Sequence, residues 1–205
     1  MGLCGILAQY PGKIAAMPDA IKFRPNPTKI VEALVFLAGL QPRIDVFHVC
    51  KVLYFADRDH FRMYGRPILG DQYCALDDGP VPSLALNIAK RKKEFVPPAV
   101  LEHAERKLAV DETDAFVRLI AREPFDNALF SRTDIECLTS ALKRFGEMKF
   151  MDLWKLGHRE TAWRGYFKGK GTSTPIPFEA LLPVGMKDRE KAIEQIRETA
   201  AITAL

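Results

Sequence analysis

The sequence predicts a mainly helical α+β fold, in which a single compact helical domain carries a small antiparallel sheet or hairpin. Apolar residues recur at three- and four-residue spacing along most of the 205 residues, as amphipathic helices require. Three short stretches, 73–76, 107–110 and 116–120, are β-leaning, and an acidic turn separates the last two. A helix over 115–122 is the alternative for the last of them. We find no internal repeat and no composition change that would divide the chain into two domains.

The chain begins with an extension, which two helices follow. Residues 1–24 contain closely spaced Pro and Gly and predict a loosely ordered N-terminal extension to a domain that spans 25–205. An Asn-Pro pair precedes helical apolar spacing over 29–40, which predicts the first helix. The second helix is predicted from 44 up to Gly65, a residue that can adopt positive φ and end a helix. Because apolar residues line two of its faces, this helix should be central in the fold.

The middle of the chain has clear helix-start and helix-end signals. A third helix is predicted to open at the Gly79-Pro80 pair or at Pro82, and it ends in a basic run at 90–93. Ser131 has the side chain of a helix N-cap, and the helix that it starts is predicted to end at Gly146.

The last quarter of the chain is predicted to hold two helical pieces, a loop and a final helix. The helical pieces are 151–156 and 158–163. The Gly-, Thr- and Pro-rich range 165–177 predicts a flexible loop. A charged stretch at 188–204 predicts the C-terminal helix, with Ile196 turned toward the core.

Composition and charge limit the classes of function. The net charge of +4 is mildly basic and is compatible with an acidic partner surface or with nucleic acid. The four cysteines are scattered without a Cys-x-x-Cys pair, which argues against a zinc site or disulfide framework and favours a reducing cytoplasm. No apolar run approaches the roughly 20 residues that span a bilayer, and no signal-peptide pattern is present. We therefore expect a cytoplasmic protein with no membrane partner and no cofactor.

Candidate catalytic or metal-binding residues are few. Asp57 and His60 lie three residues apart on the second helix, so they can share a hydrogen bond as in a general-base pair or, with His158, a metal site. No third ligand lies at motif spacing, and neither a nucleophile elbow nor a phosphate-binding loop is present. We therefore predict that the protein is not an enzyme and that Asp57 and His60 satisfy one another within the core. The residues to which we assign a structural role are Asp57, His60, Gly65, Pro67, Gly79 and Pro80.

A DNA-binding alternative depends on the order of the elements and on the basic run. Two helices, a short strand, a third helix and then a hairpin resemble the order of a winged-helix domain. The candidate phosphate contacts are Lys90, Arg91, Lys92 and Lys93, with Lys168 and Lys170 in the loop. The other explanation is that cations are favoured at the C-terminus of a helix and extend into solvent. DNA is therefore a secondary candidate partner.

Two blocks of the sequence resemble the Panacea, or SocA-like, antitoxin domain, a family that is also described as phage-associated. The first block consists of Leu53–Asp57, Tyr64–Ile68, Gly70, Asp71, Ala75 and Gly79–Pro82, and the second of Ser131–Gly146 and His158–Trp163. The chain departs from the usual family pattern at Asp77 and Asp78 and at Gly157.

The resemblance implies an antitoxin whose partner is a cognate toxin, neutralised by direct contact. SocA-like members are also described as adaptors that deliver the toxin to a Clp-type protease. Inhibition by binding requires an exposed, partly apolar surface and no catalytic group. The predicted partner-binding residues, of types enriched at interface hot spots, are Tyr54, Arg58, Tyr64, Arg66, His158, Trp163 and Arg164. Full burial of Tyr54 or Trp163 would instead indicate core packing.

Overall fold

A computed structural model describes residues 21–113 and 115–203 as a helical core with two small sheets. The helices are α1 (Pro27–Leu40), α2 (Val46–Tyr64), α3 (Ser83–Ala89), α4 (Pro98–Lys107), α5 (Arg132–Phe145), α6 (Phe150–Arg159), α7 (Thr161–Tyr166) and α8 (Arg189–Thr203). The strands are β1 (Ile44–Asp45), β2 (Tyr73–Leu76), β3 (Gly79–Pro82), β4 (Leu108–Asp111), β5 (Arg118–Ala121) and β6 (Thr174–Ile176). The predicted class, mainly helical α+β with antiparallel strands, is confirmed.

Both sheets are antiparallel and have three strands. The first has the strand order β1–β5–β4, with Ile44 opposite Leu119. The second has the order β3–β2–β6, with Cys74 opposite Val81 on one side and Pro175 on the other. The β4–β5 hairpin lies where the sequence predicts two strands. The second sheet brings residues that follow α7 back to the hairpin that follows α2.

Helix α2 is the centre of the fold, as its two apolar faces predict. Asp45 caps its start by accepting a hydrogen bond from the backbone N–H of His48 at 2.9 Å. Gly65 ends it with a φ of 69°, a conformation that glycine adopts without strain. Side chains on all sides of the helix are buried over most of its length, and α5, β3 and α3 pack around it. The apolar surface that this arrangement removes from water stabilises the core.

Two other helix starts follow the predicted signals. At α1, the Asn26 side chain accepts a hydrogen bond from the backbone N–H of Lys29 at 3.0 Å, and Pro27 occupies the first turn. At α5, Ser131 and Asp134 form a capping box, in which each side chain accepts a hydrogen bond from the backbone N–H of the other residue.

The end of the predicted N-terminal extension belongs to the core. Residues 1–20 lie outside the described part of the chain, but Ile21 is buried. The ring of Phe23 meets those of Phe61 and Phe178 edge to face, at centroid distances of 6.1 and 4.9 Å. Apolar packing therefore begins before residue 25, because the few apolar side chains there find partners far along the chain.

Three further segments differ from the sequence prediction. The Gly79-Pro80 pair lies in strand β3, Gly79–Pro82, because this segment pairs with β2. Helix α3 begins at Ser83, directly after Pro82, which was the other predicted start. Helix α4 was not predicted, since only Leu101 and Ala104 among its residues are buried and the apolar pattern is weak. Within the predicted loop at 165–177, Thr174–Ile176 is strand β6.

The C-terminal helix lies where the sequence places it. Ile196 of α8 is buried as predicted, and so is Ala200, one turn further along. In the ranges 21–113 and 115–203, no helix is both long enough and apolar enough to cross a membrane.

Candidate functional site

A buried carboxylate holds the loop between α2 and β2 against the helix. Asp57 accepts hydrogen bonds from the backbone N–H groups of Ile68 and Leu69 and from the hydroxyl of Tyr73, the last at 2.5 Å. All three donor residues are buried, so they would have no water to replace this acceptor. Burial raises the pKa of Asp57, and the hydrogen bonds from Tyr73 and the two amides oppose that rise.

A second buried carboxylate, Asp71, fixes the start of α3. Its oxygens accept hydrogen bonds from the backbone N–H groups of Leu84 at 3.0 Å and Ala85 at 2.9 Å, so it caps this helix from outside. Burial raises the pKa of Asp71 to about 6, although the hydrogen bonds from these amides lower it. The preceding Gly70 has a φ of 65°, and a Cβ there would lie 3.0 Å from the carbonyl oxygen of Arg24.

His60 connects the same loop to α5. Its Nδ1 lies 2.8 Å from the carbonyl oxygen of Arg66, and its Nε2 lies 3.0 Å from Oγ1 of Thr133 and 3.1 Å from Oδ1 of Asp134. The predicted mutual satisfaction of Asp57 and His60 is therefore wrong. The two side chains leave α2 toward different elements, and each finds its partners there.

The carboxylate of Asp134, at the start of α5, contacts donors from several parts of the chain. It is 1% exposed, and its oxygens lie 2.7 Å from Nζ of Lys29 and 3.0 Å from the guanidinium of Arg66. Burial alone would raise the pKa of Asp134, but hydrogen bonds from His60, Lys29 and the amide of Ser131 hold it well below its ordinary value. This carboxylate thus joins α1, α2, the loop after α2 and α5.

A buried lysine lies where the β2–β3 turn meets α6. Lys51 of α2 is fully buried, and its Nζ donates a hydrogen bond to the carbonyl oxygen of Pro80 at 2.9 Å. Two glycines leave room for it, since a Cβ at Gly79 would lie 2.9 Å from Nζ and one at Gly157 would lie 3.6 Å from Cε. The ring centroid of Phe47 lies 5.3 Å from Nζ. Burial lowers the pKa of Lys51 to about 7.

We expect the buried amine to make a contribution to stability that rises with pH. The pKa of Lys51 is about 7 in the fold against an ordinary 10.5, so between these values the unfolded chain binds a proton that the folded chain does not. Lys51 should therefore add about 2 kcal/mol to the free energy of unfolding between pH 7 and pH 9. Burial raises the pKa values of Cys50, Cys74 and Cys137, which acts in the opposite direction, so the contribution of Lys51 is measured by urea denaturation as the difference between wild type and Lys51→Met.

Lys51→Met should remove this contribution, because methionine does not titrate. The control Lys143→Met, at an exposed position on α5, should keep it. A difference in free energy of unfolding between wild type and Lys51→Met that stays constant from pH 7 to pH 9 would contradict the prediction.

A row of aromatic rings runs along α6 and α7. Phe150 and Trp154 lie one turn apart on α6, and Trp154 stacks on His158 with ring centroids 3.6 Å apart. The ring of Trp163 on α7 lies 4.2 Å from that of His158 and stacks on Phe167 at 4.5 Å. Offset and edge contacts between rings add to the apolar burial, so the two helices hold each other in place.

Main-chain contacts attach this row to the β2–β3 hairpin. The ring nitrogens of His158 lie 2.7 Å from the carbonyl oxygen of Trp154 and 2.9 Å from that of Asp77. Nε1 of Trp163 donates to the carbonyl oxygen of Leu76 at 2.8 Å. The orientation of α6 and α7 is therefore set by the hairpin as well as by apolar packing.

A charge cluster joins the connection between α6 and α7 to α2. The guanidinium of Arg58 lies 2.7 Å from Glu160 and 2.6 Å from Asp59, and Asp59 lies 2.9 Å from Arg144 of α5. The hydroxyl of Tyr54 also donates to Glu160, at 3.2 Å. Two donors from α2 thus fix the residue that separates the two helices.

The other side of α6 and α7 is open to solvent. In α6 only Leu153 and Gly157 are fully buried. Trp154 and His158 are partly exposed, and the cations beside them are exposed. We define the α6–α7 face as Trp154, Lys155, His158, Arg159 and Arg164. A rigid, partly apolar surface with charged edges is suited to binding another macromolecule.

The part of the chain described above matches a known protein family. The family model "Antitoxin SocA-like, Panacea domain" matches residues 49–164, more than half of the chain. This chain belongs to the SocA-like Panacea family. No curated protein and no solved structure matches it. The matched range of the Panacea domain runs from α2 to α7, so it contains the buried polar residues of α2 and the whole α6–α7 face.

Three of the predicted partner-binding residues of this Panacea domain are buried. Tyr54 has no exposed surface, and Trp163 and Arg58 are each 8% exposed. Tyr54 and Arg58 both contact Glu160, and Trp163 packs in the aromatic row. Their burial indicates that Tyr54 and Trp163 are part of the core packing.

The other four predicted residues lie at two separate places. His158 and Arg164 are in the α6–α7 face. Tyr64, 48% exposed, lies at the end of α2, and the guanidinium of Arg66 contacts Asp134 below the loop. The structure does not bring these two pairs together into one cluster.

Sequence reasoning missed several residues that organise the Panacea domain. Lys51 interrupts an apolar run, which was a signal that a cation is buried. Asp134 stands three residues after Ser131, at the position of a capping-box partner. Trp154 precedes His158 by one helical turn, which predicts a shared face. Glu160 had no such signal, because its partners are on α2.

The metal site considered from the sequence is not formed. In residues 21–113 and 115–203, no three His, Cys, Asp or Glu side chains are grouped so that they could hold a metal ion. Asp57, His60 and His158 have different partners on different elements, as described above.

The basic run after α3 is partly used within the fold. Arg91 has a φ of 53°, and its guanidinium donates to the carbonyl oxygens of Ala104 and Leu108 at 3.0 Å each. Lys90 and Lys92 are partly exposed, and Lys93 is exposed. Of the four candidate phosphate contacts, Arg91 thus connects the end of α3 to α4 and β4.

Proposed function

We propose that this protein is the antitoxin of a toxin–antitoxin pair and neutralises its toxin by direct contact through the α6–α7 face. The observation that carries the proposal is the family match, which covers both the central helix and this face. Binding is tightest when a surface is ordered before the partner arrives. The aromatic row, the hairpin contacts and the Glu160 cluster all restrict the motion of α6 and α7.

The contacts of the buried polar residues support a binding protein rather than an enzyme. Asp57 and Asp71 accept hydrogen bonds from backbone amides. His60 and Asp134 contact each other and further polar neighbours. Each of these groups has partners that explain it by folding alone. Neutralisation by contact requires no further chemical group.

We expect Trp154 to carry a large part of the binding energy. Co-expression with the protein encoded by the neighbouring gene should restore growth of a bacterial host, and the two proteins should co-purify. Trp154→Ala should weaken the complex by roughly 30-fold or more in Kd, the size of a hot-spot loss of about 2 kcal/mol. Kd is measured by titration calorimetry, and the melting temperature of each variant checks that it folds.

The matched control is Phe95→Ala, because Phe95 is an aromatic residue that is 44% exposed in the loop before α4. It should leave Kd within about twofold of the wild type. If the neighbouring protein is not toxic, or if it is toxic and this chain does not rescue growth, the antitoxin proposal fails.

Delivery of the toxin to a Clp-type protease is a further step that we propose from the family. An adaptor must leave part of its surface free while the toxin is bound, and the exposed ends of α2 and α8 lie outside the α6–α7 face. The half-life of the toxin, measured in hosts with and without the protease, distinguishes delivery from simple sequestration.

The DNA-binding alternative has one structural argument in its favour and one against it. The β4–β5 hairpin pairs with β1, so a small sheet flanks the first helices as in a winged-helix arrangement. However, the helix before this hairpin, α4, exposes Glu102 and Glu105, and carboxylates are repelled by the phosphates that flank a DNA groove. We therefore place DNA second to a protein partner.

A further inference from the structure

The net charge of the chain comes from the segment that contains α6, α7 and the start of the loop after them. Residues 149–170 hold six of the 30 Lys and Arg but only two of the 26 Asp and Glu. The rest of the chain has 24 of each kind, so this segment accounts for the net charge of +4. Of its two acids, Glu160 is paired with Arg58 at 2.7 Å, whereas Asp152 is exposed.

The cations of this segment are exposed. They are Lys149, Lys155, Arg159, Arg164, Lys168 and Lys170. None of the six forms an ion pair with another residue in the described ranges, whereas Arg58, Arg144 and Lys29 each contact a carboxylate. Exposed cations that no carboxylate neutralises create a positive potential that attracts acidic partners.

Neighbouring carboxylates reduce this charge without cancelling it. Asp77 in the β2–β3 turn accepts a hydrogen bond from the backbone N–H of Gly171 at 2.9 Å, which partly satisfies it. Asp78 beside it is exposed, as is Asp152. Glu147, just before this segment, is exposed as well, so three exposed carboxylates stand against six exposed cations.

We infer that the α6–α7 face docks an acidic segment of the protein that the antitoxin neutralises; the inference rests on the proposed function. Lys155 and Arg159 lie one turn apart on the same side of α6, where they can contact successive carboxylates of the partner. Arginine binds a carboxylate through two parallel hydrogen bonds, which makes it a strong recognition residue. Apolar side chains of the same segment contact the exposed part of Trp154.

The ring geometry favours a protein partner over a nucleic acid. Bases of a single strand bind by stacking on free aromatic faces. The ring of Trp154 is covered on one face by His158 at 3.6 Å, and Trp163 is covered by Phe167 at 4.5 Å and is buried. Neither tryptophan therefore has both ring faces free for a base, whereas the partly exposed Trp154 can pack against apolar side chains of a protein.

The test compares two doubly charge-reversed variants of the full chain. Lys155→Glu/Arg159→Glu changes the α6–α7 face. Lys187→Glu/Lys191→Glu, at exposed positions four residues apart around the start of α8, makes the same change in net charge elsewhere. The probe is the toxin encoded by the neighbouring gene, and its association rate constant is measured by surface plasmon resonance at low and at high salt.

We expect the face variant to lose at least about tenfold in association rate at low salt, with a flatter salt dependence, and to lose growth rescue. The α8 variant should stay within about twofold of the wild type. Lys155→Gln/Arg159→Gln, which removes the charges without reversing them, should lose part of the rate and serves as the second variant if the first does not fold.

Unchanged association and rescue in the face variants would overturn this inference and leave the antitoxin proposal intact. An equal loss of association rate in the α8 variant would also overturn this inference and leave the antitoxin proposal intact, because the rate would then depend only on the total charge of the chain. A wild-type chain that forms no complex with the toxin would overturn the antitoxin proposal and this inference with it. A single-stranded oligonucleotide that binds the wild type but not the face variant would overturn the protein partner in favour of a nucleic acid.

Discussion

Replacing Asp134 by alanine is expected to lower the free energy of unfolding by about 3–5 kcal/mol. The carboxylate is 1% exposed and lies within 3.1 Å of donors on Lys29, His60 and Arg66. Without it, the fully buried His60 loses its charged partner, and Lys29, whose side chain is 14% exposed, loses its ion pair. Helix α5 also loses one half of its capping box.

The matched control for Asp134 is Glu136→Ala, two residues further along the same helix. Glu136 is exposed and forms a surface ion pair with Arg132 at 3.0 Å, so its removal should cost less than about 1 kcal/mol. Urea denaturation at pH 7 measures both variants. Equal losses in the two would show that the buried network around Asp134 contributes nothing particular to stability.

The pH dependence of the Asp134 variant has a definite sign. Because the pKa of Asp134 is lower in the fold than its ordinary value of 3.8, its stabilising contribution is present above that value and is lost as the pH falls toward the folded pKa. The difference in free energy of unfolding between wild type and Asp134→Ala should therefore narrow below about pH 4.

Replacing Asp57 by alanine is expected to lower the free energy of unfolding by about 3 kcal/mol or more, since it leaves three buried donors without an acceptor. The donors are the amides of Ile68 and Leu69 and the hydroxyl of Tyr73. Asp57 holds the loop from α2 to β2 against the helix. In Asp57→Ala the amides of this loop should therefore exchange with solvent faster than they do in the wild type, and faster than those of α2. Hydrogen exchange followed at Ile68 and Leu69 measures this local effect separately from global stability.

The matched control for Asp57 is Asp59→Ala on the same helix. Asp59 is partly exposed, and it contacts the exposed guanidinium of Arg144 and the buried one of Arg58. Because Arg58 keeps Glu160 as a partner, the loss of Asp59 should cost about 1 kcal/mol. It should leave exchange in the loop unchanged. If Asp57→Ala showed neither the larger loss of stability nor the faster exchange, the carboxylate would not be what holds the loop.

The effects of core and face substitutions should be separable. Asp57 and Asp134 hold α2, its following loop and α5 together, whereas Lys155 and Arg159 lie on the exposed side of α6. The core variants should lower the melting temperature. They should weaken the toxin complex only because a smaller fraction of the protein is folded. The face variants should weaken the complex at an unchanged melting temperature.

Local signals in the sequence were sufficient for the fold class and for the main helix boundaries. Helix α2 could be placed because Asp45 and Gly65 act on the backbone within one turn of themselves. The capping box of α5 likewise needs only Ser131 and Asp134. Apolar spacing on a helix also predicts which side is buried, so α2 could be identified as the central element. The two motif blocks were sufficient to identify the family.

The tertiary structure alone decided which partners each buried polar side chain has. Lys51 reaches Pro80 over 29 residues, His60 reaches Thr133 over 73, and Tyr54 reaches Glu160 over 106. Spacing along a helix tells which face a side chain occupies, but what lies opposite that face depends on how distant elements pack. For this physical reason the sequence suggested an Asp57–His60 pair, whereas packing gave each of the two residues its partners on other elements.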